Sequence, residues 1–90
     1  MKKSNKTKKV VMYTSRYCPF CVRAKLLLVK KEVDLKELFV DQDPELRRAM
    51  MQKSGRHTVP QIWIGEQHIG GCDELLALDR ANKLDGLITD

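Results

Sequence analysis

The sequence predicts a single α/β domain in which three helices flank a four-stranded mixed sheet, in the order β-α-β-α-β-β-α. Its 90 residues are enough for one modest hydrophobic core and too few for two. Short apolar runs of strand length alternate with longer segments of helical periodicity, which favours a parallel strand pair joined by crossover helices. Only Gly65 and Glu66 separate the last two predicted strands, which is typical of an antiparallel hairpin.

The first predicted strand leads directly into the first predicted helix. Residues 10–14 form an apolar run without polar alternation, which is typical of a strand covered on both faces. A helix is predicted from Pro19 to about Lys31, because apolar side chains recur there at helical spacing. The side chains expected to face the core are Val22, Leu26, Val29 and Val33, widened by Leu27 and Leu28.

The middle of the chain is predicted to contain a second strand and a second helix. Residues 34–40 are ambiguous; we interpret them as a strand because the helix before them is already of full length and the Asp-Gln-Asp-Pro run after them is a clear stop. Asp43 supplies a carboxylate for the N-cap of the next helix, and Pro44 takes its first position. This helix is expected to end near Ser54, with Gly55 just past its end.

The last third of the chain is predicted to contain the hairpin and a third helix. The two strands span residues 60–64 and 67–69, and the Gly70-Gly71 pair ends the second of them. Asp73 is then expected to cap the third helix. A final short turn is expected to pack on the core through Leu84, Leu87 and Ile88.

The charge distribution separates a basic tail from a neutral domain. The formal net charge is +5, from 17 basic and 12 acidic residues. Five of the lysines stand within residues 1–9, so residues 10–90 carry 12 basic and 12 acidic side chains and no net charge. We expect residues 1–9 to be a disordered, solvated tail and residues 10–90 to be the folded domain. A neutral domain does not predict binding to nucleic acid.

The sequence predicts neither export nor a membrane partner. The apolar run after the basic start is far shorter than the core of a signal peptide, and no stretch approaches the roughly 20 residues of a membrane span. We therefore expect a cytoplasmic protein. In that reducing compartment, cysteine pairs are catalytic or metal-binding rather than structural.

The Cys-Pro-Phe-Cys motif at residues 18–21 is the part of the sequence that predicts chemistry. Cys18 falls at the N-cap of the first helix, and Pro19 takes the first helical position. The free N–H groups and the positive dipole end of the helix favour the thiolate of Cys18 over its thiol. Cys21 lies about one turn further in, within reach of a disulfide with Cys18 but shielded. This arrangement predicts thiol–disulfide exchange with Cys18 as the nucleophile.

A structural metal or a structural disulfide would explain the cysteine pair less well. Structural zinc needs four ligands, and only Cys72, His57 and His68 remain as candidates, so no metal site is predicted. Both histidines are expected at the surface or in turns. A structural disulfide fits extracellular chains better than this one. A Cys-x-x-Cys at the first strand–helix junction of such a chain is a thioredoxin-like signature.

Three motifs taken together resemble a known family. Cys-Pro-Phe-Cys at 18–21, Thr-Val-Pro at 58–60 and Gly-Gly-Cys-Asp at 70–73 have the order and spacing found in class I dithiol glutaredoxins of the short bacterial type. The resemblance covers the chain from about residue 10 to its C-terminus. It implies a thioredoxin-like fold, reduction of protein–glutathione mixed disulfides and protein disulfides, glutathione as co-substrate, and a monomer without a covalently bound cofactor.

The resemblance also implies a glutathione site. Pro60 matches the family's cis-proline, which would leave the Val59 backbone free to pair with the cysteinyl part of glutathione. Asp73, together with the backbone of Cys72, matches the group that binds the γ-glutamyl end. Arg47 matches a position near the glycyl carboxylate, although a solvated surface role is equally open. The other implied glutathione-binding positions are Phe20, Thr58 and Gly71.

The sequence departs from the family pattern at two positions. Phe20 stands where many members have tyrosine, and Ser15 stands where many have lysine. The second departure removes a contact to a glutathione carboxylate. Arg16 is the nearest substitute, but alternation along an extended chain directs its side chain to the other face.

Two alternative functions remain open at this point. A redoxin reduced by thioredoxin reductase would have the same fold, but the Gly-Gly-Cys-Asp motif argues against it. A dimer that bridges an iron–sulfur cluster through Cys18 and glutathione is disfavoured because Pro19 stiffens the loop.

Overall fold

The computed structural model describes residues 7–89, which form a mixed sheet with helices on both faces. In chain order the elements are β1 (Lys9–Thr14), α1 (Pro19–Lys30), β2 (Asp34–Phe39), α2 (Pro44–Ser54), β3 (Gln61–Ile64), β4 (Gln67–Gly70), α3 (Cys72–Arg80) and α4 (Leu84–Ile88).

The sheet has the strand order β2-β1-β3-β4. β1 runs parallel to β2, and β3 runs antiparallel to both β1 and β4. The predicted parallel pair and the predicted hairpin are therefore confirmed. Tyr13 pairs with Gln61, so the end of β1 lies beside the start of β3. This pairing brings the loop that contains Cys18 next to the loop that precedes β3.

The second strand and second helix are confirmed, because local signals fix both. The side chain of Asp43 caps α2 by accepting hydrogen bonds from the backbone N–H groups of Glu45 and Leu46. Gly55 follows the helix in the left-handed region, with φ of 72°. Glycine adopts this conformation without a steric penalty, which is why it commonly ends helices.

The predicted buried face of α1 is only partly correct: Leu28 and Val33 are buried and Leu27 packs against the core as expected, but the other three residues are exposed. Val22, Leu26 and Val29 are 52%, 65% and 54% exposed, whereas the buried residues of the helix are Cys21, Ala24 and Leu28. Both sets recur at helical spacing, so periodicity alone does not distinguish them. The set with smaller side chains lies against the sheet.

The start of the domain also differs from the prediction. The predicted disordered tail comprised residues 1–9, of which residues 1–6 lie outside the described part of the chain. Thr7 forms a β-bridge with Thr89, and the backbone N–H of Lys8 donates to the carbonyl of Ile88 at 2.8 Å. Lys9 already belongs to β1. Thr7 and Lys8 are therefore placed by pairing with Thr89 and Ile88, whereas Lys9 pairs with Asp34 of β2.

The N-cap of α3 is Gly71, not Asp73 as predicted. The helix starts at Cys72, and the carboxylate of Glu74 reaches back to accept a hydrogen bond from the backbone N–H of Gly71 at 2.7 Å. Glu74 thus satisfies a terminal N–H group as the acidic residue of a capping box does. Asp73 is left exposed in the first turn.

Hydrophobic side chains form one cluster on each face of the sheet. The larger cluster packs Val10 and Met12 of β1 against α1, α3 and α4. The smaller one packs Tyr13 of β1 against Met50 of α2. The final turn predicted at residues 84–88 is a five-residue helix, α4, so the described domain has four helices rather than three. Leu84 and Ile88 are buried in the larger cluster, whereas Leu87 packs against it only partly buried.

None of the helices within residues 7–89 is long and apolar enough to cross a membrane.

Candidate functional site

The candidate site is a pocket of about 220 Å³ beside the N-terminus of α1. It lies where the loop before β3 meets the start of α3. Its lining residues are Phe20, Arg56, Thr58, Val59, Pro60, Gln61, Gly71, Cys72, Asp73 and Glu74. All the residues implied for glutathione binding except Arg47 are among them.

Cys18 occupies the N-cap of α1, as predicted. Its Sγ accepts a hydrogen bond from the backbone N–H of Cys21 at 3.3 Å, and Pro19 follows at the first helical position. The same Sγ lies 3.9 Å from the carbonyl oxygen of Val59, at the edge of the pocket. The Cys18 sulfur is thus partly exposed and accepts a backbone hydrogen bond at the N-terminus of a helix.

Cys21 is in a different environment. Its side chain is 2% exposed, and burial, followed by its hydrogen bond with Cys18, raises its pKa from 9.0 to about 11. Hydrogen bonds from Thr14 and the Ser15 backbone oppose that rise only in part. Both cysteines of the motif are free thiols. The Cys18 sulfur is therefore accessible and can attack a substrate, whereas the buried Cys21 sulfur stays protonated.

The loop before β3 forms one wall of the pocket. The Val59–Pro60 peptide bond is cis, as the resemblance implied. The side-chain amide of the buried Gln61 donates to the carbonyl and the hydroxyl oxygens of Thr58, at 3.1 and 3.3 Å. These bonds hold the backbone on either side of Val59 in a fixed position.

The start of α3 forms the opposite wall. A Cβ atom on Gly71 would lie 3.1 Å from the carbonyl oxygen of Pro60, so the glycine allows α3 to begin in contact with the loop. The pKa of Glu74 is lowered, chiefly by the hydrogen bond from the Gly71 N–H, with a smaller contribution from Arg56. Arg56 and Glu74 also form an ion pair of 3.4 Å across the end of the pocket.

Two cations considered from the sequence do not line the pocket. Arg47 donates a hydrogen bond to the carbonyl of His57 at 3.2 Å. Arg16 pairs with Asp41 at 3.5 Å and lines a different pocket with Phe39. Arg16 therefore does not line the candidate site; it lies at the second pocket together with Ser15, so it is not directed to the opposite face as alternation predicted.

Sequence reasoning missed three residues of the pocket. Glu74 had a usable signal, since an acidic residue three positions after a possible N-cap glycine is typical of a capping box. Arg56 and Gln61 had no such signal, because only the fold brings them to this wall.

Neither histidine lies in a metal-binding cluster. Within residues 7–89, no group of three His, Cys, Asp or Glu side chains is close enough to hold a metal ion. His68 instead stacks on Trp63, with ring centroids 4.6 Å apart, and its Nε2 lies 2.8 Å from the side-chain oxygen of Gln61. The pKa of His68 is lowered, mainly by burial.

Comparison with known proteins gives consistent matches. The family model for glutaredoxin matches residues 10–69. A glutaredoxin of Pseudomonas aeruginosa is 58% identical over 80 residues, covering 89% of this chain and 95% of the relative. Glutaredoxin 3 of Escherichia coli is 52% identical over 79 residues, covering 88% of this chain and 95% of the relative.

Solved structures agree with these sequence matches. The solution structure of a glutaredoxin from Brucella melitensis has a TM-score of 0.82 at 45% identity, covering 97% of this chain and 95% of that one. The crystal structure of a buckwheat glutaredoxin–glutathione complex has a TM-score of 0.81 at 32% identity, covering 88% of this chain and 74% of that one. These likenesses confirm the predicted thioredoxin-like fold.

Proposed function

The chain belongs to the glutaredoxin family and is a glutathione-dependent thiol oxidoreductase with a cysteine pair, and from that premise we propose that it reduces protein–glutathione mixed disulfides and protein disulfides with Cys18 as the nucleophile. The observation that carries this proposal is the contrast between the two thiols. Cys18 is partly exposed and accepts the Cys21 N–H at 3.3 Å, whereas burial raises the pKa of Cys21 to about 11.

In the first step, the Cys18 thiolate attacks the glutathione sulfur of a mixed disulfide. The bond between that sulfur and the protein sulfur breaks, and the protein sulfur leaves as a thiolate that takes a proton from water. A second glutathione thiolate then attacks the glutathione sulfur now bound to Cys18. Glutathione disulfide leaves, and the Cys18 thiolate is restored.

Protein disulfides follow a second route through Cys21. Cys18 first forms a mixed disulfide with one substrate sulfur, and the other substrate sulfur leaves as a thiol. Cys21 then loses its proton and attacks the Cys18 sulfur, which releases the second substrate thiol and forms the Cys18–Cys21 disulfide. Two glutathione molecules reduce that disulfide. Because Cys21 must first be deprotonated, we expect glutathione to resolve the mixed disulfide between Cys18 and glutathione more readily than Cys21 does.

We assign the γ-glutamyl end of glutathione to the start of α3. The backbone N–H groups of Cys72 and Asp73 at a helix N-terminus suit its α-carboxylate, and Arg56 adds positive charge on this side of the pocket. Glu74 is already engaged with Arg56 and the Gly71 N–H, whereas Asp73 has no ion-pair partner within residues 7–89. Asp73 is therefore the carboxylate available to the glutathione ammonium.

We assign the middle and the glycyl end to the other wall. In this assignment, the backbone of Val59 forms hydrogen bonds with the cysteinyl part of glutathione, beside the Cys18 sulfur. Phe20, Thr58 and Pro60 complete that part of the pocket. Arg47 supports this end by holding the His57 carbonyl, which makes it a positioning residue for the loop.

We propose that the protein acts as a monomer in the reducing cytoplasm, where its three cysteines are kept as free thiols and glutathione is the proposed reductant.

The proposed function is tested by turnover of a glutathionylated peptide with either glutathione or thioredoxin reductase as electron source. Turnover with glutathione is expected, whereas activity with thioredoxin reductase alone would contradict it. A brown, glutathione-dependent dimer after anaerobic purification would instead indicate cluster binding.

The roles of the two cysteines have their own test. Cys18→Ser is expected to abolish all exchange. Cys21→Ser is expected to retain reduction of glutathione mixed disulfides, because glutathione itself resolves the Cys18–glutathione disulfide, and to lose most activity on protein disulfides, because that route uses Cys21. Equal losses in both variants on both substrates would contradict the assignment.

A further inference from the structure

Two exposed aromatic side chains belong to residues close to Cys18 in the chain. Tyr17, which precedes the nucleophile, is 91% exposed, and Phe20 is 54% exposed at the edge of the glutathione pocket. When glutathione fills that pocket, the other half of a mixed disulfide must lie outside it, beside the exposed residues around Cys18. A protein substrate therefore meets this surface whatever its own sequence is.

Arg23 adds a positive charge to the same surface. Its guanidinium carbon lies 5.9 Å from the centroid of the Phe20 ring. Its charge also acts on Cys72 at the start of α3, where it opposes the rise in pKa that burial causes. The guanidinium is thus held on the aromatic ring at the border between the pocket and the open side.

Arg23 has no carboxylate partner, unlike two of the other arginines near the site. Arg16 pairs with Asp41, and Arg56 pairs with Glu74. No acidic side chain within residues 7–89 lies within ion-pair distance of Arg23. A guanidinium that lies near an aromatic ring is partly restrained, so it loses less side-chain entropy on binding an anion than a freely moving one does.

The spacing along α1 limits where a bound carboxylate can stand in the substrate. Arg23 is five residues after Cys18, a separation along the helix axis of about 7.5 Å. Helical side chains lean toward the N-terminus, which shortens that separation. An extended peptide advances about 3.3 Å per residue, so the carboxylate stands two or three residues from the substrate cysteine.

We propose that Arg23, held on the Phe20 ring, is a specificity-determining residue that binds a carboxylate side chain two or three residues from the glutathionylated cysteine of a protein substrate. Tyr17 supplies apolar contact to the same segment. The partner is thus an acidic peptide segment carrying the mixed disulfide. This inference rests on the proposed function, because it concerns the protein half of the same substrate.

The test compares four glutathione mixed disulfides. Three are peptides of equal length with two glutamates, two glutamines or two lysines at the second and third positions from the cysteine. The fourth is the mixed disulfide of glutathione and free cysteine, which has no peptide. The kcat/KM of each is measured for the wild type, Arg23→Ala, Arg23→Glu and the control Arg80→Ala, which removes an exposed charge at the far end of α3.

The informative quantity is the ratio of wild-type to variant kcat/KM for each substrate. Peptide charge also alters the intrinsic reactivity of the leaving thiol, and this ratio cancels that effect. For Arg23→Ala we expect a ratio of about two to five for the acidic peptide and near one for the glutamine peptide and the cysteine disulfide. Arg23→Glu is expected to prefer the lysine peptide to the acidic peptide more strongly than the wild type does. Arg80→Ala is expected to give ratios near one throughout.

Equal ratios for all three peptides would overturn the inference. A similar loss on the cysteine disulfide would also overturn it, because Arg23 would then contact glutathione itself or support the fold. A shift of preference in Arg23→Glu cannot arise from partial unfolding, so that variant keeps the test decisive if Arg23→Ala is unstable. Failure of the wild type to turn over any of the four substrates would contradict the proposed function instead.

Discussion

Alkylation rates are expected to separate the exposed thiol from the two buried ones. A thiol reacts with iodoacetamide as its thiolate, so its rate follows the ionised fraction and its exposure. Burial raises the pKa of Cys21 from 9.0 to about 11 and raises that of Cys72 as well. At pH 7.5 the thiolate fraction is about one in thirty for a pKa of 9.0 and about one in three thousand for Cys21.

Ionisation alone therefore slows Cys21 by about a hundredfold relative to an unperturbed thiol. Its 2% exposure slows it further, so this factor is a lower bound. Between pH 7 and 10 the Cys21 rate is expected to rise about tenfold per pH unit, because the thiolate fraction does so below the pKa. Cys18 is expected to be modified first at every pH.

Peptide mapping by mass spectrometry after timed exposure to iodoacetamide measures the three rates in one sample. In 8 M urea the three cysteines should react at similar rates, since unfolding removes the difference in environment. The Cys18→Ser variant shows whether Cys21 remains slow without its neighbour, as expected if burial is the main cause. Native rates for Cys18 and Cys21 within tenfold of each other at pH 7.5 would refute the reasoning.

Three further outcomes are expected. Asp73→Ala should raise the KM for a glutathionylated peptide more than Arg47→Ala does, because only Asp73 lines the pocket; steady-state kinetics showing the reverse order would disprove the assignment. Leu28→Ala should lower the free energy of unfolding by about 2–4 kcal/mol and Leu26→Ala by less than about 0.5 kcal/mol, and urea titrations giving similar losses would contradict the observed face of α1. Because folding raises the pKa values of the two buried thiols, their contribution to stability should be complete below pH 9 and lost as pH rises toward 11; thermal melts that do not weaken over that range would count against it.

The order of elements was predictable because short-range signals set it. Proline after Cys18 and after Asp43 fixed two helix starts, and Gly55 fixed a helix end. The strands followed from apolar runs bounded by such signals. The extra helix at residues 84–88 was underestimated as a turn, since five residues are too few for periodicity to be informative.

The orientation of α1 was not predictable in the same way. The helix carries apolar side chains around much of its circumference; the prediction included the buried Leu28, but it also placed exposed residues in the core and omitted Cys21 and Ala24. In the fold, Ala24 is fully buried in the cluster that also holds Met12 of β1, and its small side chain permits close contact between helix and sheet. Hydrophobicity indicates that a residue can be buried, whereas the fit between two surfaces decides which residue is.

The same distinction applies to the pocket. The residues of the three motifs could be identified from the sequence, because each motif contains a cysteine, a proline or a glycine whose chemistry or backbone conformation is known from its residue type alone. Arg56 and Glu74 form their ion pair only because the loop before β3 meets the start of α3. Glu74 also holds the Gly71 N–H, and so it fixes the start of the helix whose N–H groups are proposed to bind glutathione. Glu74 therefore has a structural role, whereas Asp73 is the carboxylate that we propose to meet the ligand, so we do not expect these two adjacent carboxylates to be interchangeable.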